Sequence, residues 1–174
     1  MKKTFLTFLL ILALCVSFSG QVFGYEILDD TMVISFNDHQ IVFNARAMSD
    51  GWHTLSSSPV SASTPVSYSG PDGTANGVVY YSWYFQQRVQ VSNGRFVSAN
   101  NPSFYVTNAS YSGDHGAAFV GLNSFSTSYQ IYSNGSAIQA RCDYTMRARV
   151  VNNLGGYNDL TSSSKIAQYS FLVS

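Results

Sequence analysis

Residues 125–151 read FSTSYQIYSNGSAIQARCDYTMRARVV, and the Asn134-Gly135 pair at their middle decides the fold. A type I′ two-residue turn needs φ > 0 at both central positions, and Asn followed by Gly tolerates that best. The flanking runs alternate apolar and polar residues, so the stretch predicts a β-hairpin. Its register then places Ile131 opposite Ile138, Tyr129 opposite Ala140, Thr127 opposite Cys142 and Phe125 opposite Tyr144. Period-two alternation puts Ile138, Ala140, Cys142, Tyr144, Met146, Ala148 and Val150 on one face, with Gln139, Arg141, Asp143, Thr145, Arg147 and Arg149 on the other. Opposite the apolar set fall Phe125, Tyr129 and Ile131; opposite the polar set fall Ser124, Ser126, Ser128 and Gln130. Both strands therefore agree on which face is dry.

A second long extended run, Val78 to Ser92, precedes the hairpin. Val79, Tyr81, Trp83, Phe85, Val89 and Val91 form its apolar side, and Asn76-Gly77 and Asn93-Gly94 bracket it as turn signals. Fifteen residues at roughly 3.3 Å each would span about 50 Å, beyond the usual strand, so a bulge or bend is expected near Gln86-Gln87. Asn93-Gly94 returns the chain with Val91 opposite Phe96. Gln40 to Ala47 alternates as a half-buried strand, and Lys165 to Ser174 closes the chain with Ala167, Tyr169, Phe171 and Val173 on one face. Residues 49–77 break the pattern with Pro59, Pro65, Pro71 and Gly70-Pro71-Asp72-Gly73, and read as a long irregular connection with a short strand near Val66 to Tyr68. These signals predict an all-β fold: a single-domain antiparallel β-sandwich, Ig-like or jelly-roll-like, of about eight to ten strands, with no helix.

Residues 1–24 carry Lys2 and Lys3, an apolar run from Phe5 to Phe18, then small and polar residues. That is the pattern of a cleaved secretory signal peptide, too short for a comfortable membrane span. The mature domain is then residues 25–174, secreted to the extracellular space or cell surface, with the periplasm as an alternative, and the Lys-Lys leader suggests a bacterial source. Without the leader, seven basic residues face nine acidic ones, and apart from the arginines of the hairpin no basic stripe of the kind a nucleic-acid binder shows is evident. Cys142 is the one cysteine left, so the domain rests on its apolar core rather than on a disulfide.

Catalytic signals are weak. With 25 serines after residue 24, a serine nucleophile has no specificity, and no G-x-S-x-G elbow, H-E-x-x-H helix or P-loop occurs. Asp114-His115 sits among glycines as a turn, Asp29-Asp30 lacks the spaced oxygens of a calcium loop, and His39, His53 and His115 are far apart. No catalytic residue, metal site or cofactor is expected. Cys142 reads as a small buried hydrophobe, and Arg141, Arg147 and Arg149 as a solvated strand face with Asp143 between the arginines, anion binding being the alternative.

The surface with most to offer is the even side of the second run: Tyr80, Ser82, Tyr84, Gln86, Arg88 and Gln90. Tyr80 and Tyr84 lie about 13 Å apart along a strand. Flat rings with Gln and Arg donors beside them can stack on sugar rings and hydrogen-bond their hydroxyls. The opposing possibility is that this strand is central and residues 49–77 cover both tyrosines. Trp52, Tyr80, Tyr84 and Arg88 are accordingly the candidate ligand-binding residues of a non-enzymatic module for a glycan or surface molecule. A self-assembling surface or filament subunit, or a pore-forming β protein, is the alternative, since long alternating strands with ten per cent charge suit either; a hydrolase ranks below both.

Overall fold

The structure is a computed structural model that describes residues 24–28, 31–36, 39–46, 48–71, 73–152 and 154–173, with the backbone alone at 24–46 and 133. The expected leader lies outside the described residues except for Gly24. Twelve strands run in chain order: β1 (Gly24–Leu28), β2 (Thr31–Phe36), β3 (His39–Arg46), β4 (Gly51–Ser56), β5 (Val60–Gly70), β6 (Gly73–Ser92), β7 (Arg95–Ala99), β8 (Ser103–Gly113), β9 (Ala117–Tyr132), β10 (Ala137–Val151), β11 (Tyr157–Thr161) and β12 (Lys165–Val173). The only helical turn among the described residues is the 3-10 turn Ser133–Gly135, and no helix among them is long and apolar enough to cross a membrane.

The protein is all-β. Its strands hydrogen-bond into one open sheet in which nine follow the path β1-β2-β3-β12-β10-β11-β5-β6-β4, while β7 and β8 also pair with β6 and β9 pairs with β10. Among the described residues every pairing is antiparallel except β3 with β12. One residue pair, Thr161 with Ser67, joins the β10 half to the β6 half.

The β9–β10 hairpin has the register its Asn-Gly turn dictates, with Ile131 opposite Ile138, Tyr129 opposite Ala140, Thr127 opposite Cys142 and Phe125 opposite Tyr144. Asn134 and Gly135 are both left-handed, at φ 56° and 88°. Asn93 and Gly94 turn the β6–β7 hairpin in the same way, with Val91 opposite Phe96. Asn76-Gly77 behaves differently: it lies within β6, and the Gly70 to Gly73 corner supplies the turn. The Tyr111 ring occupies the space a Cβ at Gly77 would need, and its hydroxyl donates to the Asn76 carbonyl at 3.1 Å. Close approach rather than turn geometry therefore explains this glycine.

Residues 49–77 are more ordered than expected. They form β4, β5 and the start of β6, so the strand count among the described residues rises to twelve. Proline did not end β5 because the side of β5 away from β6 is open but for the pair Ser67 with Thr161, and strands accept proline where a ladder is absent.

At Gln86-Gln87, where the sequence predicts a bulge or bend, β6 changes neighbours, and its register shifts fall instead between Tyr80 and Ser82 and between Gln90 and Val91. On one side β5 pairs as far as Trp83 and β4 begins at Gln86; on the other β8 stops at Gln86 and β7 begins at Val89. Side chains and loops satisfy the backbone in the gaps. Ser57 Oγ accepts from Phe85 N–H and Ser57 N–H donates to Phe85 O, both at 2.9 Å. Asn100 N–H donates to Arg88 O at 2.9 Å. These bonds let one 20-residue strand continue past two changes of neighbour.

The core follows parity. Odd residues of β6 from Val79 to Val91 are buried, Gln87 among them, and so are even residues of β10 from Ile138 to Val150. Cys142 is fully buried and Trp83 is 2% exposed. β6 and β10 share no ladder, yet their buried faces touch: Tyr81 and Tyr144 join hydroxyls at 2.8 Å with rings edge-on at 83°, and Phe104 packs 5.0 Å from Tyr144. The hairpin register predicted the face of Phe125 and Tyr129 but not their burial. Phe125 is 56% exposed and no residue of β9 is fully buried, because the opposing side chains cover β10 and reach β9 only in part, at Val120, Leu122 and Ile131.

Candidate functional site

Because odd residues of β6 fill the core, even residues must face out. Tyr80, Ser82, Tyr84, Gln86, Arg88 and Gln90 therefore line one wall, and none of them is buried. The neighbours determine how far each ring stands clear. Tyr80 is flanked by Ser63 of β5 and Ser110 of β8, both too small to cover it, and is 50% exposed. Residues 49–77 run beside β6 as strands and leave this face open.

Tyr84 lies opposite Tyr105 of β8, and the two rings stack at 4.9 Å between centroids and 15° between planes. Stacking at that spacing is favourable and leaves each ring one face that its partner does not cover. Tyr105 is itself exposed. At the far end β4 places Trp52 opposite Gln90, diagonal to Arg88. The Arg88 guanidinium sits 5.0 Å over the Trp52 ring, a cation–π contact that fixes its fork of donors against an exposed indole.

The four sequence candidates, Trp52, Tyr80, Tyr84 and Arg88, thus come to one exposed face on adjacent strands. Tyr105 is the member that sequence reasoning missed. Its own strand signal is visible in Ser103 to Thr107, but only the β6–β8 pairing brings it to Tyr84.

Several polar groups away from this wall have structural partners. Asp114 accepts from Asn76 N–H at 3.3 Å and its own N–H donates to Asn76 O, so the turn is pinned to β6. His53 Nε2 bonds the Ser49 carbonyl at 2.7 Å. Arg141 pairs with Asp143 at 2.8 Å; Arg149 and Arg147 share Asp159 at 2.7 and 3.4 Å. The hydrogen bond from Arg149 holds the Asp159 carboxyl below its ordinary range. Burial, with the Asp143 charge nearby, pushes the Cys142 thiol up to about 12, so it is neutral and unreactive at physiological pH. A recess on the β9–β10 side, lined by Ser124, Ser126, Thr145 and Ser164 with Phe125 and Asp143, contains none of the four candidates. Among the described residues no three His, Cys, Asp or Glu side chains gather as a metal site. Compared with protein-family models, curated proteins and solved structures, the chain finds no match.

Proposed function

We propose that this chain is a secreted, non-enzymatic binding module whose outer β6 wall recognises a glycan on a cell or matrix surface. Its two half-sheets would lie face to face as a β-sandwich. The single Thr161–Ser67 link and the Tyr81–Tyr144 contact between unpaired strands support that layering.

One observation carries the functional reading: Tyr80, Tyr105 and Trp52 are exposed and the half-buried Tyr84 stacks on Tyr105, all on one outer face of adjacent strands. A pyranose has an apolar face of C–H groups and a rim of hydroxyls. The rings offer the first a flat surface, while Gln86, Gln90 and the Arg88 fork offer the second hydrogen-bond donors and acceptors. Backbone ladders on both sides of β6 hold the wall in place before a ligand arrives, so little ordering entropy is lost on binding. The described side chains of this wall are aromatic, amide and hydroxyl groups with the Arg88 guanidinium, a set that suits retention rather than turnover.

The test is Tyr80→Ala and Tyr84→Ala, assayed by retention on a glycan array. Both variants are expected to weaken binding severalfold with an unchanged circular dichroism spectrum, since both side chains lie outside the core. Undiminished retention of both variants on every glycan that holds the native protein would refute the site.

A further inference from the structure

β9 is a sixteen-residue strand, paired on one side only, in which no residue is buried and none is charged. Among the described residues no strand hydrogen-bonds its other side. Following the register through its bulges, Val120, Leu122, Phe125, Thr127, Tyr129 and Ile131 share the face that β10 buries completely. Val120, Leu122 and Ile131 are half-buried against the core while Phe125 and Tyr129 are exposed, so the dry face runs partly uncovered across β9 to an open backbone edge.

Open edges are normally guarded by charge, proline, or a bulge that twists the backbone away. β8 also has an open side, but it is guarded at its middle, where a register shift opposite Tyr80 and Ser82 accompanies a left-handed Asn108. β5 carries Pro65 and β7 carries Arg95. In β9 both register shifts fall before Ser124, so Ser124 to Tyr132 is straight, uncharged and free of proline.

We propose that Ser124 to Tyr132 is a pairing edge for a second copy of this chain, antiparallel across a two-fold axis at Thr127. The sequence is self-complementary about that point. Phe125 falls opposite the second copy's Tyr129, Thr127 opposite Thr127, Ser126 opposite Ser128 and Ser124 opposite Gln130. The dry side gains aromatic pairs and the wet side gains hydroxyl and amide pairs, both favourable across strands. An uncharged edge meets its own copy without like-charge repulsion, and the occupant must itself supply a strand edge to satisfy the open N–H and C=O groups. The β10 half-sheets of the two copies become continuous through β9, and their exposed apolar stripes adjoin.

The edge is separate from the β6 wall, so its test is independent of glycan binding. Sedimentation of the full chain is expected to show a dimer. Thr127→Lys and Thr127→Asp set like charges opposite each other on the axis, and each alone should weaken association at least tenfold; mixing the two variants should restore the dimer. Should either variant lose its native circular dichroism, the exposed pair Ser128→Lys with Ser126→Asp provides the second measurement, a mixture that associates more tightly than either variant alone. A native chain that sediments as a monomer, or folded variants whose mixture associates no better than its components, would overturn the proposal.

Discussion

Removing the hydroxyl from Tyr144 tests whether the faces of β6 and β10 really meet. Tyr81 and Tyr144 share a 2.8 Å hydrogen bond between strands with no ladder in common, and both residues are 4% exposed. Tyr144→Phe removes the bond while keeping the ring contact with Phe104, and leaves the Tyr81 hydroxyl buried without it. Such a loss costs about 1–3 kcal/mol, because a buried group bears its desolvation penalty when its partner goes. Tyr81→Phe should cost a similar amount. The double variant should cost clearly less than the sum of the two, with a coupling energy of about 1 kcal/mol, since two phenyl edges can face each other without an unmet polar group. Urea unfolding by tryptophan fluorescence reads this directly. With a slope of roughly 2 kcal/mol per molar, a 2 kcal/mol loss moves the midpoint by about 1 M. Strict additivity of the two substitutions would show that the hydroxyls do not interact and that the faces are not apposed as described.

Ser57→Ala removes the acceptor for Phe85 N–H at the point where β5 hands over to β4, and should destabilise by about 1–3 kcal/mol in the same assay. Gly135→Ala should be worse than alanine at an open turn glycine such as Gly94. It adds roughly 1–2 kcal/mol of left-handed strain, and its Cβ would press on the Phe96 carbonyl oxygen. Native Cys142 should resist iodoacetamide at pH 8 and react once the chain is unfolded in urea, as mass spectrometry would show. Its folded thiol titrates at about 12 against 9.0 for an unperturbed one, so the stabilisation from keeping it neutral is full below 9.0 and is lost as pH rises toward 12; stability measured across that window should fall less in Cys142→Ala. Asp159, whose folded carboxyl is depressed, acts oppositely: its contribution is present above its ordinary value of 3.8 and fades as pH falls below it, so Asp159→Asn should flatten the acid limb of the stability curve.

Much of the scaffold was legible because parity is a local property. Asn134-Gly135 and Asn93-Gly94 carry their own turn geometry, and alternation named the buried sides of β6 and β10 residue by residue. Asn76-Gly77 shows the limit: the same dipeptide sits mid-strand because Tyr111, 34 positions later, lies across it. Prolines concealed β5 for a related reason, since a proline is tolerated or not according to whether a neighbour needs its N–H, which is a fact about tertiary pairing. The direction of Phe125 was local, but its exposure depended on where the opposing layer ends. The site divides along the same line. Tyr80, Tyr84 and Arg88 share a strand and could be aligned from spacing, whereas Tyr105 reaches Tyr84 only through a non-local register.

Tyr80 and Tyr81 are neighbours in sequence, yet one is 50% exposed and the other 4%. Nitration of the native protein with tetranitromethane, mapped by peptide mass spectrometry, separates them with a single reagent. Rapid modification of Tyr80 and Tyr105, with Tyr81, Tyr144 and Tyr169 protected until urea is added, is the predicted pattern; equal nitration of Tyr80 and Tyr81 in the folded protein would contradict it.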